Sequence, residues 1–302
     1  MSLSVCIATY RRPERLTTLL DDLLRQHHLP DQVVVVDNDE ARSALPVVQH
    51  FKAAGPPFAI DYDMQPERNI AMTRNRTVAL ARGEWIAFID DDERAPCGWL
   101  RQLLDAASEH AADGILGPVE PEVPASAPAW IRRGRFYDFP RLRSGTVVPL
   151  NRMRFGNVLL RAACLHAERG PFDSRYGLTT GEDGDLLVRL AAKGVRIVWC
   201  DTACVIEPIE RRRLSLRWLV RRAWAGGQEF AHQSLKGAYG SVSHLGKARL
   251  FARSLAQFAL AAVLALVCWP AGRHRAVAWL MRAAANLGKL TAFWGWRYSA
   301  YA

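Results

Sequence analysis

Trp85-Ile86-Ala87-Phe88-Ile89-Asp90-Asp91-Asp92 is a run of five apolar residues that ends in three carboxylates. Five apolar residues without alternation suit a strand buried on both faces, as in a parallel sheet covered by helices. Three adjacent carboxylates repel one another, so folding them together is costly unless a cation compensates. An isolated acidic triplet is as readily a solvated turn. Its place beyond the carboxyl end of a buried strand, where open α/β sheets bind ligands, favours a site.

Working outward, the residues before the strand have helical spacing over 72–81 and close through Arg82-Gly83. The chain opens on Leu3-Ser-Val-Cys-Ile-Ala-Thr9, a second buried strand, broken at Tyr10-Arg-Arg-Pro13. Pro13 suits the first turn of a helix, and Leu16, Leu19, Leu20, Leu23 and Leu24 carry that helix to about residue 27. Val33-Val-Val-Val36 then stops at Asp37-Asn38-Asp39. Strand, helix and strand in this order make a βαβ unit and hence a parallel sheet. Three strands end in Thr9-Tyr10, Asp37-Asn38-Asp39 and Asp90-Asp91-Asp92, gathering polar groups where such a sheet places its ligand. Downstream we expect a helix over 98–110, a strand near Ile115-Leu116, regular structure over 154–160, a helix over 183–193 closed by Gly194, and a strand over 195–199. The proline-rich stretch 118–149 reads as a loop-rich insertion over the site.

Charge is unevenly spread. Residues 209–302 hold 15 Lys and Arg against 2 Asp and Glu, whereas the first 208 hold 25 against 28, so the basic character of this +10 chain belongs to its tail. Half of the 302 residues are hydrophobic, which excludes a disordered chain. The six cysteines show neither a C-x-x-C pair nor finger-like histidines, so reduced, structural thiols in a reducing compartment are expected. No secretory signal is read at the start. In the tail, Arg211-Arg212-Arg213, Arg217, Arg221 and Arg222 precede an uncharged stretch, 254–272, about 28 Å long as a helix against the roughly 30 Å of a bilayer core. Pro270 weakens a spanning reading. In the next segment, 276–296, Arg282, Asn286 and Lys289 share one helical face and Trp279, Ala283, Leu287, Leu290 and Trp294 the other, a pattern that suits a membrane interface. The basic tail lacks the aromatic interleaving that nucleic-acid binding would need, so no nucleic-acid partner is expected.

Oxygen-only ligands at Asp90 and Asp92 select a hard divalent cation, Mg²⁺ or Mn²⁺, of the kind that bridges carboxylates and substrate phosphates. Thr180-Gly181-Glu182-Asp183 opens a helix. These carboxylates either complement the helix dipole or serve as a general base for a hydroxyl.

Ser4-Val-Cys-Ile-Ala-Thr-Tyr-Arg11, Val-Val-Val-Asp37-Asn38, Arg68-Asn69, Arg74-Asn75, Asp90-Asp91-Asp92 and Gly181-Glu182-Asp183, in that order, resemble the family 2 inverting glycosyltransferases, over about residues 2–230. Gly156-Asn157, Phe172-Asp173 and Arg189 also fit the family pattern. The resemblance implies the A-type glycosyltransferase fold: a mostly parallel nucleotide-binding sheet flanked by helices. It implies that Thr9, Asp37 and Asn38 meet base and ribose, that Arg74 supports base or diphosphate, and that Asp91 meets ribose. Asp92, with Asp90 supporting, would meet the divalent cation, and Asp183 would be the catalytic base. Glu182 and Asn157 would be acceptor-side or supporting residues. Many relatives carry a His where this chain has Glu207, which is either a replacement ligand or a solvated loop acid. The spacing around Arg189 and Arg221-Arg222, with the tail from Gly288-Lys289 to Tyr298 and Tyr301, is similar to bacterial exopolysaccharide glycosyltransferases of the succinoglycan type.

The expected organisation is a catalytic domain over 1–230 and a helical, membrane-associating extension over 231–302. The implied partners are a nucleoside-diphosphate sugar donor, a lipid-linked saccharide acceptor and the cytoplasmic face of the bacterial inner membrane. Two alternatives stand beside it. A sugar-nucleotide nucleotidyltransferase would carry glycines after its first strand, which Ala8-Thr9-Tyr10-Arg11-Arg12 lacks. A non-catalytic scaffold of the same fold would have lost a triplet aspartate or Asp183.

Overall fold

A computed structural model describes residues 1–177, 181–239 and 243–295. Thr180 of the acidic helix start, Trp296, Tyr298 and Tyr301 lie outside the described residues. The chain divides into two compact units, one of Met1–Glu120, Phe139–Leu178 and Glu182–Pro208, the other mainly of Pro121–Asp138 and Ile209–Ala302. The domain edge expected after residue 230 falls inside the helix Leu216–Leu235, and residues from Ile209 onward belong to the second unit together with Pro121–Asp138.

The first unit is built on β1 (Leu3–Thr9), β2 (Gln32–Asp37), β3 (Ala59–Met64), β4 (Trp85–Ile89), β5 (Gly114–Leu116), the first half of β6 (Val119–Glu122), β7 (Asn157–Arg161), β8 (Ile197–Trp199) and β9 (Val205–Pro208). Seven of these form one sheet in the order β3-β2-β1-β4-β7-β5-β8. β1 runs parallel to β2 and β4, β2 to β3, and β5 to β8, while β7 is antiparallel to both β4 and β5. The mostly parallel sheet expected from the sequence is therefore present, with one reversed strand inserted. Alternation explains the unbroken apolar runs. Val33 and Val35 of β2 enter one core layer with Leu16, Leu19, Leu20 and Leu23, and Val34 and Val36 enter the other with Ala71, Val78, Leu186 and Leu187.

The helices of this unit are α1 (Pro13–Leu24), α2 (Leu45–Ala53), α3 (Ile70–Leu80) and α4 (Trp99–Glu109). α1 ends three residues short of the expected 27, and α3 starts two residues early. Asn69 sets that start, its side chain capping Met72 N–H at 3.1 Å. α2 and β3 were not expected: β3 is the edge strand, and its Ala-Ile-Asp-Tyr-Asp-Met carries two charges on a half-solvated face.

The proline-rich stretch is not all insertion. Its residues 121–138, with the short helix α5 (Ala129–Gly134), belong to the helical unit, where Ala127, Ile131 and Tyr137 share a core with Ile209, Leu219 and Val277. Back in the sheet unit, α6 (Ala162–His166) follows β7, and α7 (Glu182–Ala192) carries the acidic pair.

The helical unit contains α8 (Leu216–Leu235), α9 (His244–Val267) and α10 (Arg273–Ala292), with α10 between α8 and α9. Glycine permits the close approach of α8 and α10. A Cβ at Gly227 would lie 1.9 Å from the Ala285 carbonyl oxygen, and one at Gly288 would lie 2.1 Å from that of Trp224. α10 is packed on two sides, so members of both faces expected for 276–296 are buried, Asn286 of the polar set and Ala283 and Leu290 of the apolar set, while Leu287 and Trp294 are exposed.

Candidate functional site

β1 is followed in space by β2 and β3 on one side and by β4 on the other, so the strand order reverses at β1–β4. In open α/β sheets that switch point opens a crevice beyond the strand ends. There Thr9 Oγ1, ending β1, donates to Asp91 Oδ2 at 2.8 Å, just past β4. Arg12, at the entrance to α1, donates through Nη1 to Asp91 Oδ1 at 2.7 Å and lies 3.1 Å from Asp92 Oδ2.

The three aspartates meet different surroundings. Asp91 and Asp92 are buried, whereas the Asp90 side chain keeps 46% exposure. Loss of hydration pushes the Asp91 carboxyl up to about 6, against the opposing pull of Arg12. Asp90 is also raised, first by lost hydration and then by the charges of Asp92 and Asp183, with Arg74 opposing. Glu93, buried behind the triplet, accepts the Asp90 N–H at 3.1 Å. Its carboxyl is raised well above the usual range by burial, then by the charges of Asp90, Asp92 and Glu207. One acidic cluster therefore draws in Glu207 as well. Gly156 makes room for it: with φ of 109°, a Cβ there would lie 3.0 Å from Glu93 Oε1.

Arg74 joins this cluster to α7. It enters from the first turns of α3, with its guanidinium 4.7 Å from the Phe155 ring centroid and 5.8 Å from that of Phe172. Nη1 donates to Glu182 Oε1 at 2.5 Å, Nη2 donates to Asp90 Oδ1 at 3.1 Å, and Asp183 Oδ2 lies 3.9 Å from Nη1. Glu182 is buried, while the Asp183 side chain is 31% exposed. Asp183 Oδ1 also accepts the Gly184 N–H at 2.6 Å, so the first-turn dipole acts on it too. A cavity of about 380 Å³ opens beside Asp92, Glu93 and Arg94 and is bounded by Glu14, Arg15, Thr18 and Pro208.

The other expected residues sit apart from the acidic cluster. Asp37 is fully buried, and its carboxylate holds the loop after β2 by accepting from Asp39 N–H at 3.0 Å and Ala44 N–H at 2.7 Å. Asn38 Nδ2 donates to the carbonyls of Gln65 and Glu67, and its Oδ1 accepts Asn69 N–H at 3.0 Å, tying that loop to the start of α3. Asn157 lies in the interior. It is 1% exposed, accepts the Trp99 indole N–H at 2.8 Å and donates to the Pro118 and Ala203 carbonyls. Arg189 ties α7 to Glu168, Asp185 and the Pro171 carbonyl, a structural clamp.

Two members of the cluster escaped the sequence reading. Arg12 looked like one of two arginines in a turn; its position directly after β1, facing the switch point, was the available signal. Glu93, directly after the triplet, was not singled out.

Among the described residues, no group of three or more His, Cys, Asp or Glu side chains converges to hold an ion unaided. Magnesium-like ions commonly use one or two carboxylates and complete their shell with phosphate oxygens and water. Asp90 and Asp92 fit that donor set. Burial is the main reason that the carboxyls of Asp90, Asp91 and Glu93 are raised, and the neighbouring carboxylates add to it; a cation would offset both.

The family model "Glycosyl transferase family 2" matches residues 4–164, from β1 through β7. The "Succinoglycan biosynthesis protein ExoM" of Rhizobium meliloti (strain 1021) is 33% identical over 91% of this chain and 87% of its own length. Galactofuranosyltransferase GlfT1 of Mycobacterium tuberculosis is 29% identical over 68% of this chain and 70% of its own. Among solved structures, the mannosyltransferase PcManGT of Pyrobaculum calidifontis, in complex with GDP-Man and Mn²⁺, shares the fold at a TM-score of 0.67. Its identity is 19%, covering 97% of this chain and 87% of that one. S. aureus TarS in complex with UDP does so at 0.55 and 17%, covering 99% and 93%. Both likenesses concern the fold alone. With the family model over more than half of the chain and a relative at one-third identity along nearly all of it, this protein belongs to glycosyl transferase family 2.

Proposed function

We propose that this glycosyltransferase acts in polysaccharide biosynthesis, moving a sugar from a nucleoside-diphosphate donor to a lipid-linked saccharide acceptor, with inversion at the anomeric carbon. The observation that carries this reading is Arg74. One guanidinium holds Asp90 at the donor crevice and Glu182 at the head of α7, with Asp183 at its margin. Catalytic base and diphosphate end are thereby held a single side chain apart.

Asp183, partly exposed and backed by the helix N-terminus, takes the proton of the acceptor hydroxyl as that oxygen attacks the anomeric carbon. The bond from that carbon to the diphosphate breaks, and the nucleoside diphosphate departs. A divalent cation, Mn²⁺ or Mg²⁺, held by Asp92 and Asp90, would stabilise the charge developing on the diphosphate. Arg12 fixes Asp91 and Asp92 in the crevice, and Glu182 occupies Arg74 so that Asp183 is not its principal partner. Thr9, Asp37, Asn38 and Asp91 shape the nucleoside side. The succinoglycan-biosynthesis and galactofuranosyltransferase relatives and the solved complexes with UDP and GDP-Man support this choice of donor class. The basic, apolar tail supports a place at the cytoplasmic face of a bacterial inner membrane.

Thermal shift with nucleoside diphosphates and their sugars, with and without Mn²⁺, identifies the donor, because a ligand at about 100 times its Kd stabilises the native state by about 2.7 kcal/mol. With that donor, Asp183→Asn should bind as the parent does and lose transfer by about 10² to 10⁴. Near-normal transfer in this variant would remove Asp183 from the role of base.

A further inference from the structure

α9 is the one helix among the described residues long and apolar enough to cross a membrane. Its two sides have different fates. Ser254 and Ala261 are buried, and α10 is the main partner of that side. The opposite side exposes Leu245, Leu255, Leu260, Val263, Leu266 and Val267, from 49% for Leu255 to 79% for Leu245. These six recur at helical spacing and form one stripe along the helix. Lys247, Arg249 and Arg253 are exposed on its N-terminal half, and Trp269, 61% exposed, lies just beyond its end.

A helix that spans a bilayer meets lipid or apolar protein all round. α9 is seated on α10, which carries Arg282, Asn286 and Lys289 along its length. Spanning would bring those groups to the depth of the hydrocarbon, where charges are rare and costly. Lys289 does not leave the bundle: its Nζ donates to Asn286 Oδ1 at 3.0 Å and lies 5.3 Å from the Phe230 ring centroid. A helix with one apolar stripe, basic flanks and a terminal Trp instead suits the boundary between headgroups and acyl chains.

Resting on the membrane-tethered acceptor argued above, we propose that α9 lies in the plane of an anionic membrane and does not cross it. Leu255, Leu260, Val263, Leu266 and Val267 enter the acyl boundary, and Arg249 and Arg253, in and beside the stripe, meet anionic headgroups. Neutral lipid lacks half of this complement.

The full chain should co-sediment with vesicles containing about one-third anionic lipid at least about tenfold better than with neutral phosphatidylcholine, and salt should weaken that binding. Alkaline carbonate should release it. Retention through carbonate would mean a spanning helix and overturn the proposal, as would equal binding to both vesicles or to neither. Leu260→Glu with Val263→Glu should abolish vesicle binding at unchanged Tm, because both side chains are exposed; undiminished binding would overturn the assignment of the stripe. A dimeric parent that this double variant makes monomeric, with vesicle binding intact, would assign the stripe to a second copy and also overturn it. Nucleoside diphosphate release from the donor identified by thermal shift, read in parallel, separates the two readings. Its absence from parent and variant alike would strike the enzymatic assignment and leave lipid docking standing.

Discussion

The two units of this chain depart from ordinary burial in opposite directions. The sheet unit buries charge: Asp91, Asp92, Glu93, Arg74 and Glu182 are each less than a tenth exposed. The helical unit exposes oil: Leu245, Leu260, Val263 and Leu266 are each more than half exposed. Buried charge requires a partner, and an exposed apolar stripe costs solubility, so neither arises from fold stability alone. In the first unit the partners are partly internal, Arg12 and Arg74. In the second, no side chain among the described residues covers the stripe of α9, and the docking proposed above assigns it to an anionic membrane.

Breaking the first departure should have the largest effect. Asp92→Ala removes the best-placed carboxylate for the cation, and sugar-nucleotide turnover should fall at least about 10²-fold while far-ultraviolet circular dichroism stays that of the parent. Turnover within a few-fold of the parent would move the cation elsewhere in the cluster. Arg74→Met should strike stability as well as activity. It leaves Glu182 buried without its guanidinium, a loss of about 3 to 5 kcal/mol by denaturant titration, whereas Arg74→Met combined with Glu182→Gln should recover part of it. If the double variant is no better than the single, the ion pair is not what makes the position sensitive.

Smaller changes sharpen the contrast from the helical side. Gly227→Ala drives a methyl into the Ala285 carbonyl, so α8 and α10 must separate, and overpacking of this kind costs about 1 to 3 kcal/mol. The loss should register as a lower Tm of the chain.

The smallest effect concerns Asp22 on α1, which meets Arg94 at the edge of the cavity. Burial raises its carboxyl, but bonds from Arg94, Arg25 and Ala95 N–H outweigh that and hold it below the ordinary range. A carboxyl depressed in the folded state stabilises above its unfolded value, near 3.9, and that contribution fades as pH falls through the folded value. Asp22→Asn should therefore cost about 1 to 2 kcal/mol at neutral pH, modest because Arg25 and Arg94 are about half exposed, and progressively less in strong acid. An equal loss at neutral and strongly acidic pH would assign the effect to packing instead.

Much of the sheet unit was legible in the residues. β1, β2 and β4 announce themselves because a strand covered on both faces needs no polar alternation, and their polar ends followed directly. β3 was missed because an edge strand keeps one face half-wet, so its Asp61 and Asp63 mask the pattern. The reversal of β7 has no sequence signature, since strand direction depends on which neighbours are already placed. Asp90, Asp91, Asp92, Glu182 and Asp183 could be named from order and spacing. Arg74 was read as a nucleotide or diphosphate contact, and its role as the tie between two acidic groups depends on α3 and α7 meeting in space. In the tail, helical spacing located α10 but not its packing: Asn286 of the polar set and Ala283 and Leu290 of the apolar set are all buried, because α10 lies between α8 and α9.

By itself the sequence determined that buried strands would end in carboxylates, that a basic and apolar tail would follow, and that the ordered motifs resemble the family to which the chain belongs. These are local properties of composition, period and order. Tertiary structure alone decided which carboxylates share Arg12 and Arg74, that Asn157 faces inward, and which side of α9 is left bare. Those outcomes depend on residues far apart in the chain competing for the same space and the same hydrogen bonds, and no local pattern records who wins.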